Sequence, residues 1–165
     1  MLEFDFEKSV GYWVFATTHE MCRAMNEELS AHGITYRQWE VLAWISKAGG
    51  QSQSELAERM LIEPPTLVGV LDRMERDGWI ERIPADGDRR KKLVRATPRV
   101  EPLWAKMVAC AHRVRAKAVQ NLRPEQLGDL RDILATIREN LNEAGPAAPL
   151  PPSPAASAAA SGTYP

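Results

Sequence analysis

Two helix starts crowd into the middle of the chain and leave room between them for only a short helix and a tight turn. The first is Ser52-Gln53-Ser54-Glu55, a Ser-x-x-Glu box in which side chain and backbone satisfy each other's orphan groups at a helix start. The second is Glu63-Pro64-Pro65, where a proline in a first helical turn loses no hydrogen bond, because its missing N–H would have had no partner. Apolar residues follow each start: Leu56, Ala57 and Met60 on one side of the first helix, then Leu67, Val70, Leu71 and Met74 as the inward stripe of the second. That stripe leaves Pro65, Gly69, Asp72 and Arg76 opposite, with Thr66 and Arg73 on the flank, and Gly78 ends the helix.

Past Gly78 the period changes. Trp79 to Pro84 and Lys92 to Thr97 read as two short strands, joined through Asp86-Gly87, a pair that turns at low steric cost. Between Arg89 and Arg99 stand Arg89, Arg90, Lys91, Lys92, Arg95 and Arg99, with no Asp or Glu among them. The whole chain has a formal net charge of -1, so any attraction for a polyanion must come from this patch and not from the overall charge.

Helices flank this unit. From about Glu7 to Ala31, Val10, Trp13, Val14, Met21 and Met25 recur at helical spacing, with Gly33 as a stop. A helix capped by Thr35 and closed by Gly49-Gly50 turns Trp39, Leu42, Ala43 and Ile45 inward. Thr97-Pro98 reads as N-cap and first-position proline of a fifth helix with Leu103, Met107, Cys110 and Val114 along one stripe. In the sixth, from Pro124, Leu127, Leu130, Leu134, Ile137 and Leu141 form a coiled-coil-like seam, more packing surface than one small winged domain needs. The terminal helices are therefore expected to pair with a second copy. From Gly145 onward, Pro, Ala and Ser without charge predict a disordered tail.

The 165 residues fit one soluble domain. Two distant cysteines, Cys22 and Cys110, suit a reducing compartment, and the acidic N-terminus and the lack of a long apolar run argue against a signal peptide or membrane span. Cytoplasm is the expected location. No Ser/His/Asp, paired-carboxylate or phosphate-loop signature stands out, so an enzyme is disfavoured. No cofactor is expected and no metal: His19, His32, Cys110 and His112 lack a compact ligand motif, and positions 110 and 112 do not share a helix side.

Two short helices followed by a basic hairpin match a winged helix-turn-helix, in which the second helix enters the major groove of DNA. The stretches GITYRQWEVLAWI, SQSELAERMLIEPPTLVGVLDRMERDGWIER and DGDRRKKLVRATP resemble the MarR family of bacterial transcription regulators, and IEPPTLVGVLDRMERDGWI resembles its SlyA-type branch. The resemblance runs from about Val10 to Asn142. It implies a mainly α fold with a small β-hairpin wing: an N-terminal dimerisation helix over 1–34, a DNA-binding lobe over 35–97, C-terminal dimerisation helices over 98–144, and the tail over 145–165.

It also implies DNA contacts. By match with the family's Asp-x-Arg motif, Arg90 enters the minor groove, oriented by Asp88, while Arg89, Lys91, Lys92 and Arg95 meet the phosphate backbone and release counterions. Ser52, Ser54, Pro65, Thr66, Val68, Gly69 and Arg73 are the expected contacts of the helix pair, with a salt bridge to Asp77 an equal alternative for Arg73. Gly69 departs from the long basic residue often found there, which shifts weight from base contacts to shape readout by Arg90. Ala96 stands where a Leu usually precedes the wing Thr and predicts an underfilled hairpin base.

The resemblance further implies a homodimer that responds to small phenolic or anionic aromatic compounds, for which Trp13, His19, Arg23, His32, Trp39 and Trp44 are the candidate pocket residues. The expected function is that of a repressor on a pseudo-palindromic operator. Two rival readings are a thiol redox sensor acting through Cys22 and a winged-helix protein-interaction module without DNA binding, for which Gly69 is the hint.

Overall fold

The computed structural model describes residues 5–85 and 88–142, apart from the side chains of Ala48, Asp88, Arg89, Arg90 and Lys91. The Asp86-Gly87 turn and the Pro/Ala/Ser segment from Gly145 lie outside the described residues. A single 3-10 turn at Phe6–Lys8 leads into α1 (Val10–Ser30) and α2 (Tyr36–Ala48). Then come β1 (Gln51–Ser52), α3 (Gln53–Arg59), α4 (Pro64–Arg76), β2 (Ile80–Ala85) and β3 (Asp88–Ala96). A 3-10 turn at Pro98–Val100, α5 (Glu101–Ala118) and α6 (Pro124–Leu141) follow. Two compact units meet in sequence between Asn121 and Leu122.

Local chemistry sets the helix ends. Thr35 caps α2: its Oγ1 accepts from the Gln38 N–H, and Gln38 Oε1 accepts in return from the Thr35 N–H at 2.9 Å. The Ser52 box does the same for α3, with Glu55 Oε2 accepting from the Ser52 N–H at 2.8 Å. Gln51 and Ser52 also pair antiparallel with Val94 and Leu93, forming a third strand that the sequence did not announce. Two residues are too few to show alternation.

The sheet order is β1-β3-β2, and the hairpin aligns Ile80 with Ala96 and Arg82 with Val94. β3 begins at Asp88, four residues before the expected Lys92 start. The cationic run carries no hydrophobic alternation to reveal a strand, yet backbone pairing does not depend on it. Thr97 also departs from expectation. Its hydroxyl does not cap a helix but donates to the Gly78 carbonyl at 2.7 Å, while its N–H donates to Trp79 O, tying the hairpin base to the end of α4.

The core of the first unit draws Leu29 from α1, Val41, Leu42 and Ile45 from α2, and Leu56 from α3. Ile80, Val94, Met107 and Cys110 join them, together with the whole expected stripe of α4. The apolar spacing of α1 divides: Met25 and Leu29 are buried, whereas Val10, Trp13, Val14 and Met21 are exposed along with Phe6 and Phe15. Within this unit α1 is tied to α5 at its C-terminal end, where Arg113 holds Glu28 at 2.6 Å. In α6, Leu130, Ile133 and Leu141 are exposed, and Leu127, Leu134 and Ile137 are half-buried.

The turn between α3 and α4 is strained. The N–H of Ile62 reaches Ala57 O and that of Leu61 reaches Glu58 O, the paired bonds of a Schellman ending, which puts Leu61 at φ 51. Glycine usually occupies that place, and a side chain there costs about 1–2 kcal/mol. Leu61 recovers little by packing, being 81% exposed. Leu61→Gly is expected to raise stability by about 0.5–1 kcal/mol. A urea-denaturation midpoint that falls would refute this account of the turn.

Candidate nucleic-acid interface

Burying Leu67, Val70, Leu71 and Met74 fixes which side of α4 faces solvent. Pro65, Thr66 and Val68 are exposed there, and Gly69 is half-buried. A Cβ on Gly69 would sit 3.7 Å from Arg73 Nη1, an ordinary contact, so no neighbour requires glycine. Arg73 is exposed, and the expected bridge to Asp77 does not form: Asp77 accepts from Arg76 Nε at 3.2 Å instead. Among the described residues Arg73 has no ion pair, which leaves a free guanidinium on the outer face.

α3 contributes Ser54, exposed in its first turn. Ser52 is different. It is 9% exposed and its Oγ accepts from the Glu55 N–H, so its polar atom is engaged in the cap.

On the wing, Lys92 is exposed. The side chains of Asp88, Arg89, Arg90 and Lys91 lie outside the described residues. Arg95 is held at one donor: its Nε donates to Gly49 O at 3.2 Å, and its stem crosses Gly50 so closely that a Cβ there would be 3.0 Å away. Arg99 Nη1 likewise donates to Asp77 O at 3.0 Å. The C-terminal part of the cationic run thus braces the hairpin base. Sequence reading also missed Arg82, which reaches from β2 to Asp72 and Glu75 on α4.

The six candidate effector residues do not converge. Only Trp39 lines the cavity of about 240 Å³ between α1, α2 and α5, with Met21, Cys22, Met25, Tyr36 and Arg115 among its other walls. His32 lines a separate groove with Glu27, Arg113 and Lys117. Trp13 is exposed and donates its Nε1 hydrogen to Glu7 O at 2.9 Å; His19 is exposed beside Phe15. Arg23 is paired with Glu20 and Glu27 on the surface, and Trp44 packs against the core under the Arg59 guanidinium. The missed residues were legible in part: Thr18, Met21, Cys22 and Met25 share one face of α1 at three- and four-residue steps, of which the apolar spacing marked only Met21 and Met25.

Two of the cavity's titratable groups, Cys22 and Tyr36, are shifted toward their neutral forms. Burial raises the Cys22 thiol above its ordinary value, and burial followed by the nearby Glu40 carboxylate pushes the Tyr36 phenol up to about 12. Cys110 is buried and His112 exposed, and no cluster of three or more metal-ligating side chains occurs among the described residues. No helix among them is long and apolar enough to cross a membrane.

The MarR family model matches residues 34–92, which span α2 through the wing. A cysteine-to-serine variant of MarR from E. coli, solved in complex with operator DNA, is 26% identical, with TM-score 0.71 over 82% of this chain and 99% of that one. Residues 34–92 thus match the MarR family, and the fold around them is similar to that of its solved members. Two further structures share the fold. CouR from Rhodococcus jostii RHA1, bound to p-coumaroyl-CoA, is 24% identical with TM-score 0.71, covering 82% of this chain and 95% of its own. BpsR from Bordetella bronchiseptica, whose DNA binding is regulated by 6-hydroxynicotinic acid, is 21% identical with TM-score 0.71, covering 87% and 100%. The MarR-family transcriptional regulators are what this lobe resembles.

A raised thiol pKa makes Cys22 a poor nucleophile near neutrality, since the thiolate is the reactive form. Alkylation of the native protein by iodoacetamide at pH 7.5, about one unit below the ordinary thiol pKa, should be slower at Cys22 than in an unstructured cysteine peptide. Peptide mapping that found faster labelling would overturn this description of the cavity.

Proposed function

We propose that this chain is a MarR-family regulator, a homodimeric repressor of the SlyA-like branch that binds a pseudo-palindromic operator and is released by a small anionic aromatic compound. The observation that carries the reading is Arg115, exposed at the edge of the cavity and without an ion pair among the described residues. Trp39, Met21 and Met25 offer a flat, polarizable wall for a ring, and the neutral Tyr36 and Thr18 hydroxyls offer hydrogen bonds. A carboxylate or phenolate would then meet Arg115.

On DNA, α4 lies in the major groove with Arg73 and Thr66 near the backbone, and the wing follows the adjacent minor groove through Arg90, with Asp88 orienting it and Arg89, Lys91 and Lys92 on phosphates. Gly69 brings no hydrogen-bonding side chain, so sequence preference rests more on groove shape. The exposed Val10, Trp13, Val14 and Phe15 of α1 and the Leu130 and Ile133 of α6 are the apolar faces a second copy would cover. Effector binding shifts the balance between lobe spacings only by its differential affinity for them. Ser52 and Arg95, engaged in a cap and a brace, are not among the proposed contacts.

The test starts with selection of genomic fragments by the full chain, followed by gel shifts between about 50 and 200 mM salt, where phosphate contacts make affinity fall steeply. Arg73→Ala should weaken binding at every sequence and reduce the salt slope by about one. Salicylate serves as the anionic aromatic probe. It should release the wild-type complex, whereas Arg115→Ala should keep operator affinity and need about tenfold more salicylate, the loss of one charge-assisted contact. Equal release of both proteins would overturn the assignment of the cavity.

A further inference from the structure

We infer that Arg82 is a positioning residue that sets the angle of the wing against the recognition helix α4, an inference that rests on the reading of these two elements as a joint grip on DNA. Arg82 lies on β2, the strand at one edge of the sheet, opposite Val94 in the register. Its side chain is 17% exposed and points across to α4. Nη2 donates to Asp72 Oδ1 at 2.7 Å, Nη1 donates to Glu75 Oε2, and the backbone N–H of the same residue donates to Glu75 Oε1 at 3.2 Å.

The geometry separates this from an ordinary surface pair, which contributes little. A guanidinium is a rigid planar fork, and here its two prongs are held by carboxylates three residues apart on one helix face. Two anchored prongs and an anchored backbone N–H fix translation and rotation together. Among the described residues, every hydrogen bond from β2 to α4 comes from Arg82. The hairpin base has other ties through Thr97 and Arg99, but those lie at its open end against Gly78 and Asp77. Arg82 is the brace nearer the tip.

Arg82 is too enclosed to be a phosphate ligand, so its effect on DNA must pass through other residues. Asp72 and Glu75 are also accounted for. Bare carboxylates on a recognition helix oppose a polyanion, and these two have a partner that turns them toward the wing. Simple neutralisation and positioning give opposite forecasts once the two acids are removed while Arg82 is kept.

The experiment uses the full chain with its selected operator and compares wild type, Arg82→Gln, Arg82→Lys and the double variant D72N/E75Q, each with its melting temperature. The readout is the slope of log affinity against log salt, which counts phosphates neutralised and does not change when part of a sample is inactive. Arg82→Gln should lose about tenfold or more in affinity, with a slope shallower by about two, because a loosened wing no longer seats its cations. D72N/E75Q should show the same shallower slope despite its more positive charge, and Arg82→Lys, with charge but no fork, should fall between. A wild-type slope in Arg82→Gln, or binding by D72N/E75Q at or above wild-type affinity, would overturn the inference. A wild-type chain with no salt-dependent DNA binding would instead overturn the reading beneath it.

Discussion

The burial of four apolar side chains along α4 is the constraint on which the rest of the interface depends. Leu67 and Leu71 are fully enclosed, Met74 as well, and Val70 nearly so, against side chains from α2, α3 and the sheet. Each fully buried side chain of this size contributes roughly 1.5–3 kcal/mol. A helix of 13 residues has little stability by itself in water, so this packing both forms α4 and chooses its rotation. The outer face follows by geometry: positions 65, 66, 69 and 73 are carried outward because 67, 70, 71 and 74 are carried inward. Affinity for a polyanion can then be local. With a Debye length of about 8 Å at physiological ionic strength, acidic side chains farther away than that do little to cancel cations on this face, which reconciles a net charge of -1 with a DNA-binding surface.

Much of this arrangement was legible in the residues, for reasons of chemistry. Capping boxes depend on the identity of two nearby residues, so Ser52 with Glu55 announced α3, and the α4 stripe announced itself by spacing. What was illegible was non-local. β1 exists because Gln51 and Ser52 lie beside Leu93 and Val94, forty residues away in sequence, and nothing in two residues reports that. α1 shows a different gap. Its apolar spacing was read correctly as a stripe, but spacing says only that a face is apolar and not what covers it, so Val10, Trp13 and Val14 stand exposed in this chain.

The arginines make the same point for function. A run of cations in a sequence looks uniform, yet Arg95 and Arg99 reach backbone carbonyls at the ends of α2 and α4, and Arg73 has no such partner. The difference arises from where a carbonyl without a helical partner happens to lie within reach of the guanidinium. Helix C-termini supply such carbonyls, and their negative end favours a cation. Two arginines at the wing base thereby each use a donor to hold the hairpin to the helices. The proposed grip depends on the division: braces at the base, and an unpaired Arg73 on α4.

The candidate effector cavity obeys a related logic. Trp residues drew attention in the sequence because they are large and few, but large side chains are the ones most needed to fill volume, and Trp44 does that. A cavity forms where side chains are too small or too flexible to close the space, which favours Met21, Met25, Cys22 and Thr18 as its walls. Trp39 belongs to both classes: one side faces this cavity, and its ring stacks at 5.3 Å on Trp104, which lines a second cavity beside Ala96 at the wing base. The small residue expected to leave the hairpin base underfilled thus has open space next to it. An aromatic pair with space on both sides can shift with less steric resistance than one in a close-packed core, where a change of a single methylene is felt. On the proposed reading, an effector pressing on Trp39 would meet that compliance, and the element next in line is the end of β3.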